Sequence, residues 1–175
     1  MKKKLLWITE TAVMLALLTV LQAVTKPMGQ FVTGSCVNAV LAVTVLVAGL
    51  YSGLTVALIS PVLAFLLGIA PQPLTVPAIM MGNAVFVALL HFMAGKGKPL
   101  FGVIGWITAA LAKFATLYSV VAWVICGVLA DALAVKQPMA AKLIPMFGWP
   151  QLVTALVGGG IAILIVPVLR KALRK

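Results

Sequence analysis

Apolar stretches of fifteen to thirty residues recur along nearly the whole chain and are separated only by short polar segments. Runs of this length with so few charges are typical of transmembrane helices, whereas surface helices of soluble domains are apolar on one face only. The pattern predicts six spans, at residues 5–24, 36–50, 53–69, 77–94, 100–130 and 149–169. We therefore expect an all-α membrane protein with six transmembrane helices.

Glycine and proline set the predicted connections between these spans. Residues 51–53 form a very short turn, so the second and third spans are expected to be an antiparallel hairpin. Three prolines in the segment APQPLTVP oppose helix continuation after the third span, and Pro77 suits the first turn of the fourth. Polar connectors are predicted at residues 25–35 and 95–99, and a longer mixed loop at residues 131–148.

Composition supports this class of protein. Hydrophobic residues make up 64% of the chain and charged residues 9%, and the mean hydropathy is +1.24. A soluble domain of 175 residues could not bury that much apolar surface. We expect a single integral membrane domain over residues 1–175, with its first apolar segment retained because no signal-peptide cleavage pattern follows it. No phosphate-binding GxxxxGK[ST] segment is present, so any ATP hydrolysis would need other subunits.

The distribution of positive charge predicts the orientation, because cytoplasmic loops carry the excess of Lys and Arg. Six spans place both termini and the 95–99 loop on one side, with nine basic residues: Lys2, Lys3, Lys4, Lys96, Lys98, Arg170, Lys171, Arg174 and Lys175. The other side holds three, namely Lys26, Lys136 and Lys142. Both termini are therefore expected in the cytoplasm. This topology and anionic lipid account for the net charge of +11, and no nucleic acid partner is expected.

Residues for catalysis or metal binding are few. Cys36 and Cys126 lack CxxC spacing, and His91 has no HExxH partner. Glu10 and Asp131 are the acidic residues of the chain, and the topology places them near opposite membrane faces. We expect no enzyme activity, no bound metal and no cofactor.

A small set of polar and aromatic side chains remains between the middle of the membrane and the outer ends of the predicted spans: Asn83, Lys113, Tyr118, Trp123, Gln151 and Thr154. They are candidates for one outward-facing cavity that binds a small amphipathic solute. Two other interpretations stay open. Asn83 and Thr154 are also suited to hydrogen bonds between helices, and Trp123 to anchoring at the membrane interface.

Lys113 is the most unusual of these residues, because an ammonium group near the bilayer centre costs about 2.5–3.5 kcal/mol on insertion scales. That cost would be offset if the side chain snorkels towards the cytoplasmic side, if helix carbonyls gather around it, or if an anion binds to it in a cavity.

Several segments resemble the substrate-binding S component of an energy-coupling factor (ECF) vitamin transporter: TAVMLALL, GLYSGLTVALISPVLAFLLG, MGNAV, LAKF and GWPQLVTALVGG. The resemblance covers essentially the full length. It implies a location in the bacterial cytoplasmic membrane and partners comprising a transmembrane coupling subunit and two ATPase subunits. Ala12 and Ala16 match the AxxxA pattern through which such proteins dock on the coupling subunit, although small residues four apart also suit packing within one chain.

The resemblance also implies where a solute would bind. Residues 25–35 would act as a lid, from which Gln30 or Phe31 contacts solute. The full set of candidate substrate-binding residues is Lys113, Asn83, Gln151, Tyr118, Trp123, Gln30, Phe31, Asn38 and Thr154. Lys113 would favour a vitamin-like solute with a carboxylate, such as pantothenate, niacin, lipoate or a folate. A stand-alone secondary carrier and a membrane assembly protein without a solute pocket are the alternatives.

Overall fold

The computed structural model describes residues 2–69, 72–94 and 99–173, in which helix is the only regular secondary structure. The α-helices are α1 Lys2–Thr25, α2 Gln30–Ala48, α3 Leu50–Leu66, α4 Val76–Ala94, α5 Pro99–Tyr118, α6 Gln137–Met146 and α7 Trp149–Ala172. A π-helix, Ser119–Val128, continues α5, and short 3-10 turns lie at Lys26–Met28 and Pro73–Thr75.

The lengths and apolar character of the helices agree with a membrane protein. Within the described residues, five helical stretches are long and apolar enough to cross a bilayer. The apolar helix α3 has 17 residues, which is at the lower end of the length that spans the hydrocarbon core. The prediction of an all-α chain with several possible membrane spans is confirmed, and the cytoplasmic location of the termini stays a prediction.

Two predicted connectors are largely helical. Only Lys26–Met28 and Gly29 separate α1 from α2, because Gly29 adopts a φ of 88° that ends one helix while α2 begins at Gln30. The hairpin between the second and third spans turns at Gly49, whose φ is 93°, and residues 51–53 lie inside α3. The hairpin was predicted correctly, but its turning residue was not.

The predicted loop at residues 131–148 is also wrong in part, because it contains α6. Leu143 of α6 and Phe147 just after it are buried beside Leu117, Val121 and Ile125 in a second apolar cluster next to the π-helix. This packing against a neighbouring helix stabilises a ten-residue segment that contains two prolines. Residues 95–98 of the predicted 95–99 loop lie outside the described residues.

The six longer helices alternate in direction, so the bundle has two ends. The terminal end carries the start of α1 and the end of α7, where Arg170 Nη2 donates a hydrogen bond of 2.6 Å to the carbonyl oxygen of Leu46 on α2. The far end carries the start of α2, α4 and α7 and the end of α1, α3 and α5. The main apolar core lies between these helices and includes Leu18, Leu41 and Phe86.

Small residues bring α2 and α7 together in parallel. A Cβ atom built on Gly158 would lie 2.7 Å from the backbone nitrogen of Ala39, and one on Gly34 would lie 2.9 Å from Cγ2 of Thr154. Such contacts require glycine, and small residues four apart are the usual means of close helix approach in membranes. This α2–α7 seam also fixes the position of Asn38, one turn after Gly34.

Replacing Gly158 with alanine is expected to destabilise the protein, because the backbone of α2 cannot move aside as a side chain can. Overpacking of this kind costs about 1–3 kcal/mol in the free energy of unfolding. The Gly158→Ala protein should therefore unfold at a lower temperature in detergent. Gly102→Ala is the matched control, since its Cβ would meet no atom within 4 Å. Equal unfolding temperatures for the two variants would contradict the close packing of α2 against α7 at Gly158.

Candidate functional site

A cavity of about 300 Å³ lies at the far end of the bundle. Its wall is formed by α1 to α5, the start of α7 and the turn between α6 and α7, and most of the wall is apolar. The volume is at the lower end of the range for small-molecule sites. The site is therefore sized for a small solute.

Lys113 is buried in the wall of this cavity, with 3% of its surface exposed. Its Nζ donates hydrogen bonds of 2.6 Å to Oδ1 of Asn38 on α2 and to Oδ1 of Asn83 on α4. The ring of Phe86 lies 5.5 Å from the same nitrogen and presents its electron-rich face to the charge. The snorkelling alternative is wrong, because the ammonium ends inside the bundle on side-chain amide oxygens.

The hydrogen bonds of Asn38 account for the direction in which its amide points. Its Nδ2 donates to the carbonyl oxygen of Gly34 at 2.8 Å and to Oγ1 of Thr154 at 3.3 Å. The hydroxyl of Thr154 in turn donates to the carbonyl oxygen of Gln151 at 3.1 Å. With both amide hydrogens held by the seam, the oxygen is the atom left for Lys113. Asn38 thus links the α2–α7 seam to the buried charge.

Asn83 makes fewer hydrogen bonds than Asn38 does. Its Oδ1 accepts from Lys113, but its buried Nδ2 has no hydrogen-bond partner among the described residues. An ammonium carries three N–H donors, and two of those on Lys113 are directed at the asparagine oxygens. The cavity wall therefore holds a positive charge and neighbouring donors with capacity for an acceptor such as an anion.

A second cation, Lys26, lies in the cavity wall nearer the end of the bundle. Its Nζ donates a 2.7 Å hydrogen bond to the carbonyl oxygen of Gly68, just after the end of α3, where the helix dipole is negative. No acidic side chain belongs to the part of the wall that the structure describes. The site is consequently electropositive, and among the described residues no group of three His, Cys, Asp or Glu is placed to hold a metal ion.

Two glutamine side chains in the cavity wall share one backbone acceptor. Nε2 of Gln30, the first residue of α2, donates to the carbonyl oxygen of Met146 at 2.6 Å, and Nε2 of Gln151 approaches the same oxygen at 3.4 Å. These bonds join the first turn of α2 to the α6–α7 turn. Residues 25–35, the predicted lid segment, form a short 3-10 turn and the first turn of α2, and their action as a lid stays a prediction.

The structure gathers some of the predicted site residues at the cavity and leaves others away from it. Those in its wall are Asn38, Asn83, Lys113, Gln30 and Gln151, and Thr154 lies behind Asn38. Three do not belong to the wall, namely Phe31, Tyr118 and Trp123.

The three residues outside the wall occupy other surroundings. Phe31 packs on Trp149 with ring centroids 5.4 Å apart, and Trp123 is 72% exposed on the π-helix. Tyr118 follows Lys113 by five residues, which rotates it by about 140° around the helix axis and directs it elsewhere. The depth of a residue along its span therefore did not predict whether the residue lines the cavity, because its rotation around the helix axis matters as well.

Sequence reasoning missed Gln22, Ser60 and Lys26 as cavity residues. Gln22 of α1 and Ser60 of α3 are buried, and both belong to the wall. For Gln22 and Ser60, the available signal was an uncharged polar residue in the middle of an apolar run. That signal applies equally to the many threonines in these helices, so it does not single out a cavity.

No protein-family profile, curated protein or solved structure matches the chain. The functional interpretation of the site therefore depends on its own geometry and on the sequence resemblance described above.

Replacing Lys113 with methionine is expected to destabilise the bundle, because two buried amide oxygens lose their donor. An unsatisfied buried acceptor costs about 1–3 kcal/mol. Adding Asn83→Leu to Lys113→Met should cost less than the sum of the single changes, since the two side chains share one interaction. Thermal unfolding in detergent measures this cycle, and Lys142→Met on the exposed side of α6 serves as the control for loss of charge. Strict additivity of the two substitutions would show that the contact is not energetically coupled.

Proposed function

We propose that this protein is the solute-capture subunit of an ECF-type importer and binds a small carboxylate-bearing solute in the far-end cavity. The observation that carries the proposal is the buried ammonium of Lys113 in the wall of a small, largely apolar cavity. Apolar walls hold the body of an amphipathic solute, and the cation with its neighbouring donors orients the carboxylate.

The two asparagines explain how the charge is kept ready for an anion. A carboxylate partner inside the protein would neutralise Lys113 and remove its attraction for a solute. Neutral amide oxygens stabilise the ammonium without cancelling its charge. The site therefore keeps a net positive charge until a solute carboxylate supplies the counterion.

The arrangement of the bundle suits capture from outside the cell. The cavity is at the end opposite the basic termini, so cytoplasmic termini would place it towards the outer face of the bacterial membrane. Lys26, nearer the end of the bundle, adds attraction for an arriving anion. Delivery inward would then require the coupling subunit and two ATPase subunits, which the resemblance implies as partners.

Ala12 and Ala16 are favourably placed for such docking. Both are exposed on α1, and a smaller share of α1 is buried than of the other long apolar helices in the described part of the chain. An exposed pair of small residues one turn apart lets a partner helix approach closely. The alternative of packing within the chain loses support, since neither alanine is covered by a neighbouring helix.

Lys113→Met should remove the preference of the protein for acids over matched amides. The probes are nicotinate with nicotinamide and lipoate with lipoamide, together with pantothenate, a folate and any solute that native mass spectrometry finds on the purified protein. Loss of a hydrogen bond to a charged group should weaken binding of the preferred acid by about tenfold to a hundredfold. Isothermal titration in detergent gives both affinities.

The ratio of the two affinities within one variant does not depend on the fraction of folded protein. An unchanged acid-to-amide ratio in Lys113→Met would rule out Lys113 as the anion partner. Binding of no carboxylate by the wild-type protein would overturn the proposed solute class.

Ala12→Trp and Ala16→Trp should abolish assembly with the ATPase subunits and cellular uptake, because an indole prevents close helix approach. Solute binding by the purified variants should stay unchanged. Leu17→Trp is the matched control, since Leu17 is also exposed on α1 but lies about 100° around the helix from Ala16. Wild-type uptake by the Ala12→Trp and Ala16→Trp variants would remove the docking assignment.

Two other outcomes would identify the alternative functions. Uptake by the protein alone in liposomes would identify a stand-alone carrier, and absence of any bound solute would identify an assembly protein.

A further inference from the structure

The cavity wall contains a second pair of buried polar side chains, carried by helices that do not supply the Lys113 cluster. Gln22 belongs to α1 and is 6% exposed, and Ser60 belongs to α3 and is fully buried. Oε1 of Gln22 and Oγ of Ser60 have no hydrogen-bond partner among the described residues. Both residues lie in the wall of the cavity.

The hydroxyl of Ser60 lacks the hydrogen bond that most threonine hydroxyls of the helices make. Hydroxyl side chains within helices commonly bond to the carbonyl oxygen four residues earlier. Thr44 donates to Val40 at 2.6 Å and Thr116 to Ala112 at 2.8 Å in this way. Ser60 forms no such bond, so its buried hydroxyl has no partner among the described residues.

Gln22 is equally unusual at its position on α1. Its amide oxygen accepts from no side chain or backbone group of the described bundle, so it does not join helices as the asparagines do. A buried acceptor left unsatisfied costs about 1–3 kcal/mol, and an alanine or leucine would avoid that cost. Two such groups in the wall of one cavity indicate a ligand that satisfies them.

We propose that Gln22 and Ser60 form a second polar subsite, which accepts hydrogen bonds from a neutral N–H or O–H group of the solute. This inference rests on the proposed function, in which the carboxylate of the same solute lies at Lys113. The solute class is then a small monoanion with a hydroxyl or amide N–H separated from its carboxylate. Unsubstituted aliphatic acids do not fit, because they leave both oxygens unpaired.

The named acids differ in this respect. Pantothenate carries hydroxyl and amide donors remote from its carboxylate, whereas lipoate and nicotinate carry none. A folate has donors, but it is a poor match to a cavity at the lower end of the usual size range. The subsite therefore favours an acid of the size and polarity of pantothenate.

Matched straight-chain carboxylates test the subsite directly. The probes are acids of intermediate length that end in a hydroxyl or an acetamido group, and unsubstituted acids of equal length, titrated against the detergent-purified full chain. Wild-type protein should prefer the donor-bearing acids by about tenfold, the effect of one buried hydrogen bond. Ser60→Ala and Gln22→Leu should reduce that preference, because donor-bearing acids lose a hydrogen bond that unsubstituted acids never make.

Thr44→Val is the control, because its buried hydroxyl bonds to its own helix and does not belong to the cavity wall. It should keep the wild-type preference. Equal binding of donor-bearing and unsubstituted acids by the wild-type protein would overturn the subsite, as would a full preference in both subsite variants. Neither result bears on Lys113, whose role is read from the acid-to-amide ratio, or on transport, which is read from uptake and copurification.

Discussion

The buried ammonium of Lys113 is the interaction on which the cavity depends. It lies on α5 and holds Asn38 of α2 and Asn83 of α4 by hydrogen bonds of 2.6 Å. An unpaired charge at this depth would be costly, so these helices must stay in register around it. The partners are neutral, however, so neither of them supplies a counterion for the ammonium. One group thus joins three helices and places a cation in the cavity wall, and the proposed affinity for anions rests on that charge.

Close packing elsewhere makes this arrangement possible. Gly34 and Gly158 let α2 and α7 approach until Thr154 bonds the amide of Asn38, which turns the asparagine oxygen towards Lys113. Residues without any polar atom in their side chain therefore determine the chemistry of the site. A larger side chain at Gly158 would displace α2 from α7 first, and through Asn38 it would then displace the cavity wall.

The proposed solute site combines two kinds of polar group. Lys113 provides a charge and one spare donor, and Gln22 and Ser60 provide oxygens without partners in the described structure. The charge attracts many small anions, but the unpaired oxygens select among them, because a solute without a hydrogen-bond donor leaves these oxygens unsatisfied. Affinity and selectivity would then come from different helices of the same bundle.

The sequence by itself determined the helical class, the apolar spans and the importance of Lys113, because length, hydropathy and an unusual charge are local properties. It did not determine the turn at Gly49, the helix α6 or the exclusion of Tyr118 and Trp123 from the cavity. Those features depend on how each helix is rotated and what packs against it, which no single segment specifies. Only the tertiary structure decided that Lys113 is paired with two asparagines, because Asn38 and Asn83 lie 75 and 30 positions before it along the chain.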